Sequence, residues 1–244
     1  SGEIVTSQKL PGFEVVWAIT IGSDNKVYFG ATKNGNLYRY DPETKVITDL
    51  GNAKAGDFIW DLDASTDGKI YGGTYQTGDM FEYDIETNTF KNLGVLKEGQ
   101  QYVRGTGVSG DYAYGGTGAY AYLYRINRKN GIKTEIKLPD EVQGKDTMVS
   151  NIWKYNDKLF VAYGSSLIIM NEETGEIYQH LNWQDSFTFD GMISDPSPLD
   201  PDLIYFRNKN TSELYTYNTE TNTFNKVEPT VILPQDTLKA MKWE

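Results

Sequence analysis

The side chains best suited to ligand chemistry in this chain are aromatic rings that stand close to amide and guanidinium groups. They are Trp17, Trp60, Tyr75, Gln101, Tyr102, Arg104 and Tyr120. A flat aromatic ring can stack against the C–H face of a sugar, while amide and guanidinium groups donate hydrogen bonds to its hydroxyls. Arg104 could also form a bidentate pair with the carboxylate of an acidic sugar or a peptide. The set predicts a site that binds carbohydrate or protein.

The same residues also have a purely structural interpretation. Trp17 and Trp60 could fill the space between packed layers, where a buried indole needs only a partner for its N–H. Arg104 could pair with a nearby carboxylate such as Asp61 or Asp63. Both interpretations stay open at the level of the sequence.

Groups that would make this site catalytic are scarce. Among its 244 residues the chain has no cysteine and one histidine, His180, which excludes thiol catalysis, cysteine–zinc sites, iron–sulfur clusters and multi-histidine metal sites. Asp61 and Asp63 form a carboxylate pair of the kind that glycosidases use, but the sequence offers no reason for a raised pKa in either. We therefore expect no catalytic residue, no metal ligand and no cofactor.

The alternative is a polysaccharide lyase or a glycosidase that acts on an acidic polysaccharide. In that case Arg104 would neutralise a uronate and Tyr102 would abstract a proton. A tyrosine can serve as such a base only if a neighbouring cation lowers its pKa.

The overall charge limits the class of partner. With 23 Lys and Arg against 34 Asp and Glu, the net charge is −11, which disfavours a nucleic-acid backbone or an anionic membrane surface as partner. No apolar run approaches the roughly 20 residues of a transmembrane helix, so membrane insertion is not expected.

The elements that must position the candidate residues follow from an internal repeat. A short strand-like run ends in Asp or Asn five times, with separations of 43, 43, 44 and 47 residues. These residues are Asp41, Asp84, Asn127, Asn171 and Asn218. Each copy contains four short runs rich in Val, Ile, Tyr, Phe and Thr, separated by Gly, Asn, Asp and Pro. Four antiparallel strands in about 43 residues predict one blade of a β-propeller.

The blade pattern resembles the kelch-like and quinoprotein-like repeats of bacterial propellers over about residues 12–230. The second run ends in glycine pairs, Gly72–Gly73 and Gly115–Gly116, and the third leads into an Asp-x-Glu-Thr turn. The chain has Phe90 and Phe224 where true kelch units favour Trp. The resemblance implies a secreted propeller, extracellular or at the bacterial cell surface. Such a protein would be a non-catalytic ligand-binding or scaffolding module.

We predict an all-β fold in which residues 1–244 form a single β-propeller domain of five four-stranded blades. The blades cover about 12–56, 57–100, 101–146, 147–188 and 189–230, with extra strands at 3–10 and 238–243. The ring is either closed with accessory terminal strands, or the chain is an incomplete part of a larger ring. Polar outermost strands blunt pairing between edges, so a monomer is expected.

Propeller architecture gives the expected position of the site. The segments that lead into the first strand of each blade share one face, around the central channel, with the loops between strands two and three. Concave faces of this kind are common ligand sites. The candidate residues are therefore expected on the channel face, most densely between blades two and three.

Overall fold

The computed structural model describes residues 15–54 and 57–228, and within these the regular structure is almost entirely β-strand. One short 3-10 helix, Trp183–Asp185, is the exception. The described residues contain no helix long and apolar enough to cross a membrane. The terminal strands predicted at 3–10 and 238–243 lie outside the described residues.

Within the described residues, twenty strands form five antiparallel blades of four. Blade 1 contains β1 (Val16–Ile21), β2 (Val27–Ala31), β3 (Leu37–Asp41) and β4 (Val46–Asp49). Blade 2 contains β5 (Phe58–Ala64), β6 (Lys69–Tyr75), β7 (Asp79–Asp84) and β8 (Thr89–Val95). Blade 3 contains β9 (Tyr102–Ser109), β10 (Tyr112–Gly118), β11 (Leu123–Asn127) and β12 (Lys133–Ile136). Blade 4 contains β13 (Val149–Tyr155), β14 (Lys158–Tyr163), β15 (Ser166–Asn171) and β16 (Ile177–Leu181). Blade 5 contains β17 (Phe189–Ile193), β18 (Leu203–Asn208), β19 (Leu214–Asn218) and β20 (Phe224–Lys226).

The repeated Asp or Asn closes the turn between the third and fourth strands of each blade. In blade 1, Asp41 Oδ1 accepts the backbone N–H groups of Glu43 and Thr44 at 2.9 and 3.2 Å. The equivalent side chains in the other four blades accept the same pair of bonds. Four residues after the Asp, Lys45 has a φ of 60°, a left-handed conformation that glycine and asparagine tolerate best. The predicted turn is confirmed, and its fifth residue must in addition adopt a left-handed backbone conformation.

Glycines on the second strands allow neighbouring blades to approach closely. A Cβ on Gly30 would lie 2.4 Å from the Ile59 side chain of the next blade. Gly73 meets Val103 in the same way at 2.6 Å, and Gly116 meets Val149 at 2.2 Å. Side chains such as Tyr28, Tyr71 and Tyr114 are fully buried in the cores of the arc of blades.

The described residues form a partial propeller. Blade 1 packs on blade 2, and each later blade packs on the one before it. Among the described residues, no hydrogen bond, ion pair or ring contact joins blade 5 to blade 1. Ile19 and Ile21, which are 66% and 65% exposed, lie on blade 1, and Met192 on blade 5 is equally open.

Candidate functional site

One β-bulge recurs at the same position of the first strand in the first four blades. In blade 1, Val16 pairs with Ala31 and Ala18 with Gly30, so Trp17 is left without a partner in the register. The same shift isolates Trp60, Arg104 and Ser150 in the next three blades. In blade 5 the register is irregular from Phe189 to Ile193, a segment that includes Asp190. A bulge redirects a side chain and is often found beside a functional site.

We call these five positions the bulge row. Its members, one from each blade, are Trp17, Trp60, Arg104, Ser150 and Asp190. The close contacts between blades that the second-strand glycines allow lie beside this row. Their partners Ile59, Val103 and Val149 each come directly before a bulged residue. Each of these side chains fits against a glycine of the preceding blade, which holds the start of the first strand in place. Packing between blades therefore sets where the row lies.

Three neighbouring members of the bulge row contact one another. The ring centroids of Trp17 and Trp60 are 5.0 Å apart with an interplanar angle of 35°. The guanidinium carbon of Arg104 lies 5.1 Å from the Trp60 ring centroid, within cation–π range. Trp17 and Arg104 come from the blades on either side of Trp60. Trp17 is 53% exposed, so its ring offers the open aromatic surface of this group.

Two tyrosines extend the aromatic surface toward the junction of blades 2 and 3. Tyr75 and Tyr102 are stacked with centroids 4.1 Å apart, and their backbones pair, which joins the sheets of the two blades. The Trp60 ring lies 6.2 Å from Tyr75 and 5.7 Å from Tyr102. Phe58, which the candidate set did not include, packs edge-on against Tyr75 at 5.7 Å. Burial, together with the neighbouring Tyr75 hydroxyl, raises the pKa of Tyr102.

The other two predicted residues stand apart from this cluster. Tyr120 is 49% exposed in the loop between β10 and β11, and it has no ring contact with the cluster among the described residues. Its backbone N–H donates to Gln100 Oε1 at 3.0 Å, so the amide that reaches this loop belongs to Gln100 rather than to Gln101. Gln101 is exposed. The structure therefore brings together five of the seven predicted residues.

Arg104 does not pair with Asp61 or Asp63, and it forms no hydrogen bond or ion pair with any other described residue. Asp61 Oδ2 instead accepts the backbone N–H of Thr106 at 2.7 Å and its hydroxyl at 3.1 Å. Asp63 Oδ2 accepts the N–H of Val108 at 2.7 Å. These two carboxylates therefore connect β5 of blade 2 to β9 of blade 3.

The sequence offers no reason for a raised pKa in these two carboxyls, but the structure supplies one. Burial raises the pKa of Asp61 to about 7, and the charge of Asp63 adds to the effect. Burial also raises the pKa of Asp63 to about 6. The sequence hid this because desolvation arises only when blade 3 packs over the strand.

The interpretation in which both tryptophans only fill space between blades, with a partner for the indole N–H, agrees with the structure only in part. Trp60 is half-buried, but its indole Nε1 is buried with no hydrogen-bond partner among the described residues. A buried donor without an acceptor costs about 1–3 kcal/mol. Trp17 is too exposed to serve only as a wedge between blades.

The single histidine lies away from the first strands. His180 is on β16, the fourth strand of blade 4, where its Nε2 contacts the Tyr163 hydroxyl. Its Nδ1 lies 3.3 Å from a carboxylate oxygen of Glu141. Within residues 15–54 and 57–228, no group of three or more His, Asp or Glu side chains could hold a metal ion.

No protein-family model and no curated protein matches this chain. Solved structures do match. A virginiamycin B lyase from Staphylococcus aureus aligns with a TM-score of 0.67 at 15% identity, covering 88% of this chain and 70% of the lyase. A chain of a mitotic checkpoint complex aligns with a TM-score of 0.67 at 13% identity, covering 89% of this chain and 67% of that one. A chain of a nidogen/laminin complex reaches 0.62 at 10% identity, covering 90% and 81%.

Identities this low establish the fold alone. Together with the five antiparallel blades, they define this chain as a β-propeller. The finer assignment to kelch-like repeats stays a prediction.

Sequence reasoning missed part of the bulge row. Neither Ser150 nor Asp190 was among the candidate residues. A signal was available, because aligning the first strands on the apolar residues Val16, Ile59 and Val103 places the bulged position directly after each of them.

Proposed function

We propose that this chain is a non-catalytic binding propeller whose ligand, a carbohydrate or a protein, binds on the channel face. One observation carries the proposal: Trp17, Trp60 and Arg104 form a contiguous group that combines an exposed ring with a cation that has no carboxylate partner among the described residues. An aromatic surface beside a free guanidinium is suited to a ligand with a flat apolar face and a hydrogen-bond acceptor.

The enzymatic alternative has less support from the same residues. A Tyr102 base requires a lowered pKa, whereas burial and Tyr75 raise it. Asp61 and Asp63 accept hydrogen bonds from the backbone of blade 3. One related structure is described as a catalytically inactive lyase in which a histidine is replaced, bound to quinupristin. Here the single histidine, His180, is on the fourth strand of its blade, away from the bulge row.

Two of the similar structures, a mitotic checkpoint complex and a nidogen/laminin complex, are assemblies of proteins. They support a protein as one of the two ligand classes. The repeat resemblance supports a kelch-like, carbohydrate-binding propeller at a bacterial cell surface or outside the cell. The monomeric state belongs to the same proposal and rests on the polar outermost strands.

A glycan array with the labelled protein, followed by calorimetric titration of any ligand found, tests the proposal. We expect Trp17→Ala to weaken binding at least tenfold, because the exposed ring supplies the stacking surface. Ile19→Ala is the matched control, since Ile19 is on the same strand and is also exposed. If the array shows no sugar, the same pair of variants is compared in cross-linking with surface proteins of the source cell. Equal behaviour of the two variants in both assays would exclude the channel face as the site.

A further inference from the structure

The charges along the bulge row single out one position. Asp190 is held within its own blade by Arg207, whose Nε lies 2.8 Å from the carboxylate oxygen. The Ser150 hydroxyl is neutral and lies 3.4 Å from the carbonyl oxygen of Ala162. Arg104 alone in the row carries a charge with no opposite charge beside it among the described residues. Within the described part of the chain, the row therefore presents a single uncompensated positive charge.

The surrounding charge limits what that cation can attract. The whole chain carries a net charge of −11, so a polymer with an acid on every unit is repelled as it approaches. A ligand with one carboxylate is repelled only weakly, and it still accepts the charge-assisted hydrogen bonds of the guanidinium. The electrostatics favour a singly charged ligand.

The spacing of the row sets the distance between the two contacts. Trp60 contacts both groups, with the Trp17 ring at 5.0 Å and the Arg104 guanidinium carbon at 5.1 Å, so the Trp17 ring and the guanidinium are at most about 10 Å apart. Two adjacent sugar units can span a distance of this size, with the carboxylate of one at Arg104 and the ring of the other on Trp17.

We infer that the bulge row recognises a short oligosaccharide with one uronic-acid unit, whose carboxylate binds Arg104 while the neighbouring neutral unit stacks on Trp17. This inference rests on the proposed binding function and names the ligand class of the same site. Trp17 supplies affinity for any sugar, and Arg104 supplies the preference for the acid. An acidic peptide is the competing occupant, but a disaccharide fits better because Trp17 offers an open ring face rather than a closed pocket.

The test is calorimetric titration with two matched probes, a glucuronic acid–glucose disaccharide and the neutral glucose–glucose disaccharide of the same linkage. The wild-type chain is expected to bind the acidic probe about tenfold or more tightly, as a hydrogen bond to a charged group implies. Arg104→Met keeps an unbranched side chain beside Trp60 and removes the charge. In this variant the acidic probe should bind no more tightly than the neutral one, so that the preference for the acid is lost.

Lys129→Met is the control, since Lys129 is an exposed cation outside the bulge row that is already paired with Asp111. It should leave the preference for the acid intact. Trp17→Ala should weaken both probes together. Unfolding temperatures of all variants, expected within a few degrees of the wild type, show that each chain is folded.

The outcomes separate the two levels of the proposal. Equal affinity of the wild type for both probes, with loss of both in Trp17→Ala, overturns the acid preference and leaves the binding function standing. A preference that survives Arg104→Met overturns the role of Arg104. Failure of both disaccharides, with binding of a glutamate-rich peptide that depends on Arg104, replaces the saccharide with a protein ligand. Binding indifferent to both Trp17 and Arg104 overturns the site altogether.

Discussion

Asp61→Asn should change how the stability of the chain depends on pH. Asp61 connects blades 2 and 3 through Thr106, and burial raises its pKa from the ordinary 3.8 to about 7. The folded chain therefore holds this proton more tightly than the unfolded chain does. Stability from the protonated carboxyl is fully present below about pH 4 and is lost as the pH rises from about 4 to about 7.

The magnitude follows from the size of the shift. A change of about three pKa units at about 1.4 kcal/mol per unit corresponds to at most about 4 kcal/mol for Asp61. Asp63, raised from 3.8 to about 6, adds a smaller effect of the same sign, and the two protons are coupled, so the values do not simply add. Asparagine keeps an oxygen that can accept the Thr106 N–H. Its NH₂ group must find an acceptor, which offsets part of the gain by about 1–3 kcal/mol.

Urea unfolding at pH 5, 6, 7 and 8 measures the effect. The wild type should lose stability across this range, and Asp61→Asn should lose less, so that its stability relative to the wild type rises with pH. Asp67→Asn is the control, because the pKa of Asp67 is lowered by hydrogen bonds from Ser65 and Arg128. Its carboxylate stabilises the fold above about pH 4, so this variant should be less stable than the wild type by a constant amount from pH 5 to 8. A difference between Asp61→Asn and wild type that does not change with pH would refute the assignment of a raised pKa.

Three further predictions concern the fold. Lys45→Gly should raise the free energy of unfolding by up to about 1 kcal/mol, since the left-handed φ of 60° strains lysine. Lys45→Ala should bring no gain, and thermal melts of both variants check this. Ile19→Lys should leave the free energy of unfolding within about 0.5 kcal/mol of the wild-type value, because Ile19 is exposed. Ile59→Lys should prevent folding, because Ile59 is buried between blades. Circular dichroism of both variants checks this. Arg128→Met should lower the free energy of unfolding in urea by about 1–3 kcal/mol. Arg128 of blade 3 donates to the Tyr71 hydroxyl of blade 2 and to the Gly110 carbonyl, and it pairs with Asp67 of blade 2. An unchanged unfolding midpoint would contradict this role.

The blade architecture was open to prediction because it depends on local chemistry. Asp41 and its four counterparts bond to backbone N–H groups two and three residues later, so their spacing reports one turn per blade directly. The strand runs between the turns are too short for helices and rich in β-formers. Both signals arise from residues within one repeat and do not depend on contacts with other blades.

The candidate site was predictable only in composition. The sequence placed Trp17, Trp60, Tyr75, Tyr102 and Arg104 at the starts and ends of strands on one face, and these residues do meet. It also included Gln101 and Tyr120, which lie apart from the cluster because the β10–β11 loop bonds to Gln100 instead. The register of a bulge depends on the strand beside it and on the blade behind it, and neither is visible in a single repeat.

By itself the sequence determined the number of repeats, the turn that ends each third strand, and a set of aromatic and cationic residues near the first strands, because these follow from short-range patterns. Only the tertiary structure decided that a bulge redirects one first-strand side chain in each of the first four blades. It also decided that Arg104 has no carboxylate partner among the described residues, and that Asp61 and Asp63 accept hydrogen bonds from blade 3. The physical reason is that packing between blades controls desolvation and close approach. A glycine such as Gly30 admits Ile59, and a neighbouring strand removes water from Asp61, through contacts between residues that lie about 30 to 45 positions apart in the chain.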